Sequence, residues 1–94
     1  MTYCTIVEFE WSESLDRERF AGMLDEAGAG RSVPEGRLSQ ITGIDDAGAR
    51  VIEVWRSSDD ARRFAEQRAP SLSAVQMPPP ARVLGFEVSS YVLS

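Results

Sequence analysis

Histidine and lysine are both absent from the 94 residues, and cysteine occurs once, as Cys4. Without histidine there is no Ser-His-Asp triad, no imidazole acid or base and no histidine-ligated metal centre. One cysteine forms no intrachain disulfide and excludes the paired thiols of a metal chaperone or the several of a ferredoxin. Cys4 therefore reads as a small apolar side chain buried on a strand in reducing cytosol. All ten bases are arginines, scattered among fifteen acids for a net charge of −5. That balance argues against nucleic acid and anionic membrane as partners. Gly28-Ala29-Gly30 follows a helical pattern, so it reads as a helix end and not as a phosphate loop. No charged-then-apolar leader is evident, and no apolar run approaches the roughly 20 residues of a membrane span. The pairs Asp45-Asp46 and Asp59-Asp60 are explained by a turn and a cap, so no metal or cofactor is expected.

What is present is the composition of a folded domain, 43% hydrophobic and 27% charged. At this length the expectation is a single domain over residues 1–94 with a limited core, which a partner subunit would extend. The bias toward Arg, Ala and Gly points to a GC-rich bacterial genome.

The chain is organised around Ala49–Arg68. Val51, Ile52, Val54 and Trp55 make a strand apolar on both faces. Ser57 then caps a helix whose first turn carries Asp59 and Asp60. Ala61, Phe64, Ala65 and Arg68 share one helical face, Pro70 is expected to end it, and Ser71–Val75 to restart a short turn. Before this stretch, Tyr3–Trp11 alternates Tyr3, Thr5, Val7, Phe9 and Trp11 against Cys4, Ile6, Glu8 and Glu10, a strand with its start buried on two sides. Ser12–Ser14 offers caps to a helix over Leu15–Ala27, which Gly28 and Gly30 close. Pro34-Glu35-Gly36 is a turn, and Arg37–Ile44 alternates Leu38, Gln40, Thr42 and Ile44 against Ser39, Ile41 and Gly43. Asp45–Gly48 joins that strand to the next as a hairpin. Met77-Pro78-Pro79-Pro80 is a stiff extended spacer, and Arg82–Leu93 is the last strand. The order is βαββαβ, a ferredoxin-like α+β plait with a four-stranded antiparallel sheet and two helices on one face.

That fold hosts many functions. The segments Pro34-Glu35-Gly36-Arg37-Leu38, Gln40-Ile41-Thr42-Gly43, Arg50–Ser57 and Arg63-Phe64, with Pro79-Pro80 and Phe86-Glu87-Val88, resemble the small actinobacterial members of the dimeric α/β-barrel superfamily. The resemblance covers most of residues 34–92 and is sharpest at the Val-Trp-x-Ser junction. Members include cofactor-free monooxygenases of antibiotic biosynthesis, polyketide cyclases, haem-degrading enzymes and stress-response dimers. It implies a homodimer packed through its sheet faces, with a ligand cavity in each subunit between sheet and helices. Trp55 matches the aromatic that faces this cavity. Gln40 and Ser89 stand where histidine is usual, and Ala61 where a larger aromatic is usual.

The candidate site follows from these positions. Trp55 offers a flat face and an indole N–H to an aromatic or polycyclic ligand, or is a core tryptophan at the junction. Glu53 shares its face and, if enclosed, is a general acid or base with raised pKa; its plainer role is a hydrogen-bonded rim residue. Gln40, Ser89 and Tyr91 present amide and hydroxyl groups to a carbonyl or phenol, or serve only neighbouring strands. Glu53, Gln40 and Tyr91 are the candidate catalytic residues. Trp55, Ser89, Phe20, Leu24, Ala61 and Phe64 are the candidate substrate-binding residues, although Phe20, Leu24 and Phe64 also fit a plain helix core. Two functions are expected from this set. One is a biosynthetic enzyme of secondary metabolism, a cyclase or isomerase or a cofactor-independent monooxygenase, acting on a hydrophobic, polyketide-like or aromatic metabolite. The other is a non-catalytic ligand-binding or scaffold dimer of the same fold.

Overall fold

A computed structural model describes residues 1–26 and 33–90. Its elements are β1 (Tyr3–Glu10), α1 (Arg17–Glu26), β2 (Arg37–Ile44), β3 (Gly48–Trp55), α2 (Ser58–Ala74) and β4 (Arg82–Glu87). The four strands form one antiparallel sheet in the order β2-β3-β1-β4, the ferredoxin-like plait that the alternation patterns predict. β1 and β3 occupy its centre, carry its most apolar runs and are its most buried strands.

Local chemistry sets the element ends. Ser57 accepts a hydrogen bond from the Asp60 backbone N–H at 3.2 Å and caps α2. At the other helix the cap is Asp16, whose Oδ1 accepts from the Arg19 N–H at 2.8 Å. Ser12 instead forms a small bridge with Leu15, so α1 starts at Arg17 and not at Leu15. Asp45 Oδ1 receives the N–H groups of Ala47 and Gly48 and closes the β2–β3 turn. Those two bonds and Arg50 hold its carboxyl below its ordinary value. Gly36, at φ 86°, completes the turn into β2.

Three further features depart from the sequence expectation. α2 runs unbroken through Pro70 to Ala74. Proline removes one helical N–H and crowds the preceding turn; Pro70 is exposed, so the carbonyl it leaves unpaired can reach water. β4 stops at Glu87, because the Val88 N–H bonds to the Thr2 carbonyl at the very start of β1 and the sheet offers no further partner. The expected extension to Leu93 is therefore absent through Ser90, and residues 91–94 lie outside the described residues, as do Gly28 and Gly30. In β2 the pairing register shifts between Arg37 and Ser39, a β-bulge that breaks strict alternation.

Both helices cover the sheet face that carries Thr5, Val7, Phe9, Ala49, Val51, Glu53 and Trp55. At the α1 end this layer is solid, with Phe20 packed against Phe9 at 5.4 Å between ring centroids and against Trp11 at 5.9 Å. Leu15, Ala49 and Val51 complete that cluster. The opposite face carries Cys4, Ile6, Ile41, Ile52, Val54, Leu84 and Phe86 and has no covering element among the described residues.

Candidate functional site

The α2 half of the same layer is hollow. An apolar cavity of about 590 Å³ opens between the sheet, α2 and the proline spacer. Small residues make the room: Ala61, Ala65 and Ala69 recur along the inner face of α2, where larger side chains would reach the sheet. Phe64 and Leu72 flank them, and Met77–Pro80 crosses one side. The spacer is held by the Met77 N–H on the Leu72 carbonyl at 3.0 Å and the Ala81 N–H on the Glu8 carbonyl at 2.8 Å.

Polar groups enter this apolar wall in one row across the sheet. Gln40 pairs with Glu53, and Glu53 with Thr5, so amide, carboxyl and hydroxyl stand on three adjacent strands. One step along, Trp55 is 1% exposed and donates its indole N–H to Thr5 Oγ1 at 3.2 Å. Its ring meets Phe64 at 5.1 Å, and the Arg68 guanidinium lies over Phe64 at 4.8 Å from the centroid.

Glu53 is buried, and its Oε2 accepts from Arg37 Nη1 at 3.1 Å. Both side chains of this pair are about nine-tenths withdrawn from solvent. Burial pushes the Glu53 carboxyl above its ordinary value, because desolvation of the charge outweighs the hydrogen bond and charge of Arg37 and the more distant charge of Arg68. Oε1 has no partner among the described residues, and no fully buried side-chain polar atom is left unpaired. Oε1 is therefore the carboxyl oxygen open to the cavity.

A second charged cluster fixes this end of the molecule. Asp60 is buried, with Ser57, Arg56 and Arg63 on its carboxylate. Burial opposes its charge, but those three donors prevail and hold it below the ordinary aspartate value. Its side chain packs against Gly36, where a Cβ would come within 2.5 Å. The Arg56 N–H bonds to the Gly36 carbonyl at 2.7 Å, so the α2 cap is tied to the turn that delivers Arg37.

Of the residues singled out from the sequence, Glu53, Gln40, Trp55, Leu24, Ala61 and Phe64 all line the cavity. Two do not. Phe20 is 2% exposed inside the solid cluster with Phe9 and Trp11, which fills the α1 end and leaves it no cavity wall. Ser89 is exposed at a bend past the end of β4, since that strand stops two residues earlier than the alternation pattern implies. Tyr91 lies outside the described residues. Arg37 and Thr5 were missed. Strict alternation counts Arg37 with Ser39 on the open face, and only the bulge turns it toward Glu53. Thr5 read as an ordinary strand residue, although its place on the Trp55 face was already visible.

No family model matches the chain, and no curated protein matches it. Solved structures do. A protein of Chloroflexus aurantiacus J-10-fl, provisionally described as an antibiotic biosynthesis monooxygenase, matches with a TM-score of 0.70 at 14% identity over 100% of both chains. The hydroxynitrile lyase of Passiflora edulis matches at 0.70 and 12% identity over 98% of this chain and 97% of that one. A dimeric ferredoxin-like protein of Thermobifida fusca matches at 0.67 and 17% identity over 94% and 92%. At such identities the likeness establishes the ferredoxin-like fold. Among the described residues no group of His, Cys, Asp and Glu is placed to hold a metal ion, and no helix is long and apolar enough to cross a membrane.

Proposed function

We propose that this chain is a small cytoplasmic enzyme of the dimeric α/β-barrel superfamily that binds a hydrophobic, oxygen-bearing metabolite of polyketide or aromatic type and rearranges it as a cyclase or isomerase. The observation that carries this reading is Glu53: a buried carboxyl with one oxygen held by Arg37 and the other open to an apolar cavity of about 590 Å³. An apolar cleft orients a flexible substrate, and burial makes the Glu53 carboxylate a stronger base than one in water. Trp55 and Phe64 supply the flat wall, and Gln40 a second polar contact. Monooxygenation, the activity in the name of the Chloroflexus protein, would use the same cavity, here without a cofactor. Against it, the site lacks an imidazole base to ionise a phenol.

The open sheet face supports a homodimer. Ile41 and Phe86 are 61% and 47% exposed there beside Ile6, Ile52, Val54 and Leu84, a contiguous apolar surface of the kind that marks an interface. A second copy set against it would bury the face that the helices leave uncovered.

A non-catalytic ligand carrier is the second reading, and the Arg37–Glu53 pair favours it in one respect, since a neutralised carboxylate is also a structural element. Native mass spectrometry of the purified protein, followed by denaturation and identification of what is released, tests both. The expected result is a dimer that carries, or takes up from a bacterial extract, an oxygenated ring compound and converts it on standing. A dimer that holds such a compound unchanged selects the carrier. A monomer at micromolar concentration contradicts the barrel assembly, and a dimer that takes up nothing contradicts the binding role.

A further inference from the structure

The Thr5 hydroxyl has one lone pair occupied by the Trp55 indole N–H at 3.2 Å, and its own hydrogen has no acceptor among the described residues. An indole N–H only donates, so this contact orients Thr5 as a donor toward whatever fills the cavity. Glu53 stands directly opposite Thr5 on the neighbouring strand. Cross-strand partners hold their Cβ atoms about 5 Å apart, so the two side chains enter the cavity side by side. A hydroxyl that donates and a carboxyl with a free oxygen thus face the same short stretch of any bound ligand.

We propose that this pair enolises a ketone: Thr5 donates to the ketone oxygen, and Glu53 takes a proton from the adjacent carbon. The proposal rests on the cavity being the ligand site, and it names the substrate class as enolisable cyclic or aryl ketones. The C–H bond breaks to Glu53 Oε1, its electron pair becomes the new C=C bond, and the carbonyl π pair moves onto oxygen, where Thr5 stabilises it. Return of the proton to the same carbon or to a conjugated one regenerates ketone, so the step needs no oxidant, reductant or co-reactant. The charged groups facing Glu53 are Arg37 from β2 and Arg68 from α2. Both favour the carboxylate, the form that acts as base, while burial makes that carboxylate more basic than one in water. The developing oxyanion forms in an apolar enclosure, where a fixed donor counts most.

The test uses 1-tetralone, an enolisable bicyclic ketone, and tetralin, the same shape without oxygen. Binding is followed on protein resonances, and exchange of the 1-tetralone C2 protons is followed by NMR in D2O. Wild-type protein is expected to bind the ketone about 10-fold tighter than the hydrocarbon and to accelerate exchange over buffer. Glu53→Gln should lower the exchange rate by about 100-fold while still binding ketone. Thr5→Val should abolish the preference for ketone and slow exchange by about 100-fold, and Thr5→Ser should restore most of both. Thr5→Val should also shift the indole N–H resonance of Trp55 in the ligand-free protein while leaving the rest of a folded spectrum in place. Ketone binding without exchange above buffer, or Thr5→Val behaving as wild type, overturns the proposal and leaves the cavity reading intact. Failure to bind either compound overturns the cavity reading and the proposal with it.

Discussion

The two halves of the helix-covered layer are built on the same strands and have opposite interiors. β1 and β3 run from Phe9 and Ala49 at one end to Thr5, Glu53 and Trp55 at the other. Beneath α1, Phe9, Phe20, Leu15 and Val51 close into a solid cluster. Beneath α2, alanines face the sheet and leave a cavity into which a carboxyl oxygen opens. Interiors pack at crystal-like density, and a domain this small has little stability to spare. An open apolar cleft of this size beside a buried ion pair is a feature that folding alone does not reward. The solid half holds the fold, and the hollow half is where the proposed ligand site lies.

The largest effect should come from breaking the solid half. Phe20→Ala removes a fully buried ring and should cost about 4 kcal/mol, enough to unfold much of the population in a urea titration. An equally deep change in the hollow half should behave differently. Arg37→Met leaves Glu53 without its partner and should cost about 3 kcal/mol at neutral pH, but far less in acid. The folded-state pKa of Glu53 already lies above its unfolded value, so the stability linked to its proton is complete below the unfolded pKa and is lost as pH rises through the folded one. Arg37→Met raises the folded pKa further and should steepen that loss, which urea midpoints measured across pH will show.

Asp60 has the reverse sign. Its folded pKa is lowered, so its contribution is complete above the unfolded aspartate value and disappears as pH falls through the folded one. Asp60→Asn should flatten the acid limb of the stability profile and loosen the turn at Gly36. The smallest change in stability should come from Ala65→Leu, which adds bulk to the cavity wall at an exposed helix position. Its unfolding free energy in a urea titration should change by no more than about 0.5 kcal/mol, while affinity for 1-tetralone in an NMR titration falls at least about 10-fold.

The sheet order and both helices are legible from period and caps alone. Val51 to Trp55, the Ser57 cap and the alternation of β1 each predict what the structure contains, because local propensity and burial agree there. The same parity argument puts Glu53, Gln40 and Trp55 on one face, where they line the cavity. Arg37 was hidden by a bulge, which changes parity without a composition signal. The passage of α2 through Pro70 is hidden in the sequence because a proline only biases a helix toward breaking, and the backbone bonds that close α2 at Val75 lie beyond it. Ser89 lies past the end of β4 because alternation continues in sequence after that strand has lost its partner. Thr5 was passed over because a threonine on a strand is common, and its role depends on a contact with Trp55 that lies 50 residues away.

The difference between a hollow and a solid half is tested most directly by methyl NMR spectra under xenon pressure, since xenon enters apolar cavities and not close-packed clusters. Methyl resonances of Leu72, Ala61 and Val7 should shift with pressure while those of Leu15 stay fixed. Uniform small shifts throughout, or shifts centred on Leu15, would contradict it.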